Sequence, residues 1–125
     1  MKTYRFGIIG CGLMGREFAS AAARWCHLLE PIAKPEITAL CDANEALFGW
    51  YEQHLAGLTC TTTDYKELLA REDVDAVYIA VPHSLHEEIY IAALDAGKHV
   101  LGEKPFGIDQ PANDAITAAI AKHPE

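Results

Sequence analysis

Tyr4-Arg5-Phe6-Gly7-Ile8-Ile9-Gly10-Cys11-Gly12-Leu13-Met14-Gly15 reads as a buried strand that runs into a glycine-rich turn and then opens a helix. Phe6, Ile8 and Ile9 form an apolar run too short for a helix, and Gly10-Cys11-Gly12 breaks it. Beyond the turn, Met14, Phe18, Ala21, Trp25 and Leu28 recur at alternating steps of four and three, which predicts one apolar helix face. The three glycines have separable jobs. Gly10 makes the tight turn, Gly12 lets backbone approach a diphosphate, and Gly15 lets helix and strand pack closely. The phosphates of a dinucleotide would lie on the free N–H groups and positive dipole end of that helix. Gly10, Cys11, Gly12, Leu13, Met14 and Gly15 are therefore expected cofactor-binding residues. An ordinary tight turn is the competing explanation, so a second mark is needed downstream.

Asp42 supplies it. The first helix is expected to end between His27 and Glu30, and Pro31 and Pro35 bracket a connector. Glu36-Ile37-Thr38-Ala39-Leu40-Cys41 then predicts a second buried strand ending at Asp42. A carboxylate there can accept hydrogen bonds from the adenosine ribose hydroxyls. It falls later than the usual spacing of about 20 residues because the helix and connector are long. Capping of the next helix is the alternative role for Asp42, and Asn44 offers itself for that job.

The rest of the chain continues the alternation. A second helix is expected over Glu45–Leu55, with Gly57 as its stop, and a third strand over Leu58–Thr61. Asp64-Tyr65-Lys66-Glu67 fits an acidic capping box at the start of a brief helix through Ala70. Val74–Val81 is almost continuously apolar, as in a strand covered on both faces, and stops at Pro82. Ser84, with Glu87 three residues on, predicts the cap of a long helix that ends at Gly97. His99-Val100-Leu101 is a fifth strand, ending in Gly102-Glu103-Lys104-Pro105. A last helix begins near Asp109, tolerates Pro111 in its first turn and runs to about Lys122.

Alternating strands and helices imply an α/β fold: a doubly wound (Rossmann) parallel sheet of about five strands with helices on both faces. Ligands in such sheets bind beyond the carboxyl ends of the strands, where the strand order reverses. Gly10, Asp42, Pro82 and Lys104 all fall at such ends, and their convergence is stronger than any one of them. The chain has 125 residues, half of them hydrophobic, which suits one domain with its own core. Its net charge of −8 argues against nucleic acid and gives no attraction to an anionic membrane. No signal peptide or membrane span is legible. Cys11, Cys26, Cys41 and Cys60 contain no C-x-x-C pair and read as reduced, small hydrophobes of a cytoplasmic protein.

With Val81-Pro82-His83-Ser84-Leu85-His86 and Gly102-Glu103-Lys104-Pro105 added to the glycine turn and Asp42, the chain resembles the N-terminal half of the glucose–fructose oxidoreductase and inositol 2-dehydrogenase family. The resemblance covers nearly all of it, with His83 where asparagine is common. It implies hydride transfer between a nicotinamide cofactor and a sugar, polyol or related hydroxyl substrate. Lys104 takes the catalytic role near the nicotinamide and the reacting oxygen. An ammonium in a partly dry site can stabilise a developing alkoxide. Glu103 would hold Lys104 in place or reach the nicotinamide ribose, against the alternative that the two form a solvated pair. Ala80, Val81, Pro82, His83 and His86 would lie along the nicotinamide side, where His86 lines the cleft or hydrogen-bonds backbone. No metal is expected, because His83 and His86 lack a third ligand. NAD is expected over NADP, since Asp42 repels a 2′-phosphate and neither Ala43 nor Asn44 can neutralise one.

The resemblance also implies a sixth strand and a second α+β domain beyond Glu125, so the expectation is a fragment of a larger dehydrogenase that binds cofactor without turnover. A non-catalytic dinucleotide sensor or scaffold is the alternative. The outer edge of the fifth strand is expected to promote self-association, blunted by its shortness and by Lys98.

Overall fold

The computed structural model describes residues 1–125. Five parallel strands, β1 (Lys2–Ile9), β2 (Ala33–Cys41), β3 (Cys60–Thr62), β4 (Ala76–Ile79) and β5 (His99–Gly102), form one sheet in the order β3-β2-β1-β4-β5. Between and after them run α1 (Leu13–Ala22), α2 (Phe48–His54), α3 (Tyr65–Leu69), α4 (His86–Asp95) and α5 (Gln110–Lys122).

Alternate residues of the central strands feed two separate cores. Ile8, Leu40 and Tyr78 pack with Ala19, Phe48 and Tyr51 under α1 and α2. Their neighbours Ile9, Cys41 and Ile79 pack with Leu68, Ile89, Tyr90 and Ile116 under α3, α4 and α5. Burial of an Ile or Leu of this kind contributes about 1.5–3 kcal/mol. Strands covered on both faces carry continuous apolar runs, which is why β4 was so legible.

The expected elements are all present, with shifted details. β2 begins earlier, at Ala33, and β4 is shorter than Val74–Val81. The stripe Met14, Phe18, Ala21, Trp25, Leu28 is not the core face of α1. Gly15 and Ala19 are buried there, whereas Met14 and Leu28 are exposed. The helix tightens to a 3₁₀ turn over Ala23–His27, so the 3.6-residue period fails beyond Ala22. The second helix likewise begins as a 3₁₀ turn, Glu45–Leu47.

Ser84 caps nothing: it lies inside a 3₁₀ turn, His83–Leu85, that precedes α4. Pro82 sets that turn by accepting from the Leu85 N–H at 2.9 Å. At α3, Asp64 caps as expected, accepting from the Lys66 N–H at 2.9 Å. Glu67 closes the box indirectly. The Asp64 N–H donates to Thr62 Oγ1 at 3.1 Å, and that hydroxyl donates to Glu67 Oε2 at 2.7 Å. Asp109 caps α5 by accepting from the Ala112 N–H at 2.9 Å.

Candidate functional site

The sheet order turns back between β1 and β4, and the tips of four strands meet around that point. Backbone ladders hold them: Gly10 N–H donates to Cys41 O at 2.9 Å, Ala80 N–H to Ile9 O at 2.8 Å, and Glu103 N–H to Ile79 O at 3.0 Å. Gly10 has φ +102, and a Cβ there would lie 2.3 Å from Ala80 O, so glycine is required twice over. Gly15 is required by packing, since its Cβ would lie 2.5 Å from Gly10 O and 2.6 Å from Tyr51 Oη. Gly12 differs. Nothing lies within 4 Å of its Cβ position and its φ is −75, so no contact within the chain demands glycine.

Gly12 is also the N-cap of α1, with no side chain to accept from the first-turn N–H groups and no acidic residue in that turn. Uncapped donors and a positive dipole end face the open space beside Gly12. These are the features an anionic diphosphate needs. Asp42 stands next to them. Its Oδ2 accepts from the Cys11 N–H and its Oδ1 from the Asn44 N–H, both at 2.8 Å. The helix-capping role belongs to Asn44, which accepts from the Ala46 N–H at 3.1 Å. Each Asp42 oxygen keeps further lone-pair capacity for a hydroxyl donor.

The Cys11 side chain is fully buried beneath the turn, and only its backbone takes part in the site. Burial, with the Asp42 charge, pushes the thiol up to about 12, so it is no nucleophile. Leu13 and Met14 are exposed at the start of α1.

Beyond β4, Pro82 and His83 are exposed while Ala80 and Val81 are half-buried. His86 is fully buried. Its Nδ1 lies 2.6 Å from Pro105 O and its Nε2 3.2 Å from Val81 O, with Tyr90 stacked on the ring at 4.8 Å. Of the two roles offered for His86, the geometry selects the backbone contact: it ties the loop after β4 to the loop after β5. Both ring nitrogens face main-chain carbonyl oxygens, and the one that carries the proton donates to its partner.

Glu103 and Lys104 do not pair. The ion pairs of the chain are Arg5–Asp75 and Arg71–Asp73, and His123 Nε2 lies 2.9 Å from Asp95 Oδ1. Glu103 Oε1 instead accepts from Tyr78 Oη at 2.5 Å, and Glu103 O accepts from Tyr90 Oη at 2.6 Å. Lys104 is exposed, followed by a cis peptide to Pro105. Tyr51, Tyr78 and Tyr90 escaped sequence reasoning because tyrosines inside apolar runs register only as core.

The family described as "Oxidoreductase family, NAD-binding Rossmann fold" matches residues 4–124. Levoglucosan dehydrogenase of Pseudarthrobacter phenanthrenivorans is 35% identical over 107 residues, 85% of this chain and 27% of that protein. The dTDP-3,4-didehydro-2,6-dideoxy-alpha-D-glucose 3-reductase of Actinomadura kijaniata is 36% identical over 114 residues, 91% of this chain and 32% of that one. Scyllo-inositol dehydrogenase of Lactobacillus casei, solved with bound NAD(H) and scyllo-inositol, superposes with a TM-score of 0.83 at 32% identity. That superposition covers 98% of this chain and 34% of the other. The chain thus spans about a third of the length of the relatives it matches.

Proposed function

The chain belongs to the oxidoreductase family with an NAD-binding Rossmann fold, and from that premise we propose that it is the cofactor-holding part of a dehydrogenase acting on a sugar, polyol or related hydroxyl substrate. The observation that carries this reading is the uncapped N-terminus of α1 with the Asp42 carboxylate bonded beside it, at the rim of the sheet where β4 and β5 also end. Bound NAD supplies the hydride acceptor, or donor in the reverse direction.

The rest is the work of the chain. The N–H groups at Gly12, Leu13 and Met14 hold the diphosphate, with Gly10 and Gly15 shaping the turn. Asp42 orients the adenosine ribose and repels a 2′-phosphate. Backbone of Ala80, Val81, Pro82 and His83 lines the nicotinamide side, braced from behind by His86. Lys104 donates a hydrogen bond to the substrate oxygen and stabilises its negative charge, as an alkoxide before its carbon gives up hydride or as hydride arrives at a carbonyl in the reverse direction. Glu103 stands by the nicotinamide ribose rather than pairing with Lys104. This chain alone binds cofactor without turnover, since Lys104 supplies only one part of a reaction site.

No helix is long and apolar enough to cross a membrane. The four free cysteines suit a reducing compartment, and we place the protein in the cytoplasm. An NADH fluorescence titration with ADP-ribose as competitor tests the reading. Saturable binding displaced by ADP-ribose is expected, and a folded chain that leaves NADH fluorescence unchanged would contradict it.

A further inference from the structure

We propose that Tyr78 is a positioning residue for Lys104, holding the Glu103 carboxylate away from the Lys104 ammonium so that the ammonium stays free for the reacting oxygen. The proposal rests on the reading that Lys104 stands at the nicotinamide end of the site. The carboxylate of Glu103, the residue before the exposed Lys104, is a potential counter-ion for its ammonium. Here it is taken by a hydroxyl from 25 residues earlier in the chain, at 2.5 Å.

The hydroxyl is fixed in place. The Tyr78 ring is only 4% exposed and stacks on Phe18 of α1, with centroids 4.3 Å apart and planes 7° apart. Phe18 is in turn packed on Phe6 at 5.3 Å. Tyr78 therefore reaches Glu103 from the α1 side of the sheet, at the tip of the neighbouring strand.

Tyr90 acts from the opposite side. It belongs to the core under α4 and donates to the Glu103 main-chain oxygen at 2.6 Å. Gly102 makes room for it, since a Cβ there would lie 2.4 Å from the Tyr90 ring. Glu103 is thus gripped by side chain and backbone from both faces of the sheet, and Lys104 follows on a fixed stem. Burial, followed by Glu103, pushes the Tyr78 phenol well above its ordinary range, which keeps it a donor. A free ammonium can stabilise a developing alkoxide, whereas one already paired with a carboxylate has part of its charge spent.

Competitive acylation of lysines, read by mass spectrometry, tests this on the 125-residue chain. Tyr78→Phe removes the hydroxyl and keeps the ring stack. Freed Glu103 should then pair with Lys104 and slow its labelling by about two- to fivefold, the range of an exposed ion pair. Tyr78→Phe/Glu103→Gln has no carboxylate to pair and should restore the wild-type rate. Unchanged labelling in Tyr78→Phe, or a loss that Glu103→Gln fails to restore, would overturn the proposal. Adding NADH or ADP-ribose to the wild type checks the underlying reading separately. NADH should protect Lys104 and ADP-ribose should not; absence of protection by NADH would remove Lys104 from the nicotinamide end whatever the variants show.

Discussion

The backbone N–H of Cys11 donates to Asp42 Oδ2 at 2.8 Å, tying the glycine turn after β1 to the tip of β2. One carboxylate therefore fixes the glycine turn and, in the function proposed above, also faces the ribose. Asp42→Ala should weaken NAD(H) binding by about tenfold or more, the worth of hydrogen bonds to a charged group. It should also narrow the gap between NADH and NADPH, because the 2′-phosphate loses its repulsion. Calorimetry with both cofactors measures this, and wild-type binding of NADPH as tight as NADH would refute the preference.

Gly10 and Gly97 both have positive φ, +102 and +74, but only Gly10 is hemmed in by neighbouring backbone. Gly10→Ala should cost about 2–5 kcal/mol, from strained backbone plus overlap with Ala80 O. Gly97→Ala has open space and should cost only about 1–2 kcal/mol. Urea unfolding of the two variants gives the comparison; equal losses would mean that crowding at Ala80 is relieved freely.

Asp75 titrates at about 2 instead of 3.8, held down by hydrogen bonding from Arg5. Asp73 is held lower still by Arg71 and Thr59. A depressed native value means the stabilisation is complete above pH 3.8 and is lost as pH falls towards 2. The urea midpoint should fall across that window. Asp75→Asn should be less stable at neutral pH and should flatten the fall; a wild-type slope in the variant would exclude Asp75 as a contributor.

The fold was legible in the sequence because strands buried on both faces announce themselves as apolar runs, as in Phe6–Ile9 and Val74–Val81. Gly10 and Gly15 were legible because backbone conformation and close packing restrict what can stand there, and Asp42 because a carboxylate ends the second apolar run. The helix face of α1 was misread because the stripe continued into Trp25 and Leu28, where the chain is already 3₁₀. The partners of Glu103 were illegible for another reason. Tyr78 and Tyr90 lie in separate elements, and only the parallel pairing of β4 with β5 and the packing of α4 bring their hydroxyls together.

β5 has no partner on its outer side. A groove of about 670 Å³ runs beside that edge, with Val100, Phe106, Ile116 and Ile120 among its lining residues. Lys98 does not guard it as expected, because its Nζ donates to Arg71 O and Val74 O, both at 2.7 Å. Unpaired strand groups beside apolar surface can template pairing between chains, and we propose such pairing at micromolar concentration. Light scattering after gel filtration should report a dimer or larger species, and a strict monomer with a fully protected α5 in hydrogen exchange would refute this.

Gly12 gives the most direct test of the central claim, that this rim holds the diphosphate of NAD(H). A Cβ at Gly12 meets nothing in the chain, so Gly12→Ala should leave folding stability within about 1 kcal/mol of wild type. The same Cβ would stand where the diphosphate approaches. Calorimetric titration should show one NADH site in the wild type and binding at least about tenfold weaker in Gly12→Ala, in line with the cost of overpacking. A folded Gly12→Ala chain that binds NADH as tightly as wild type would contradict the account.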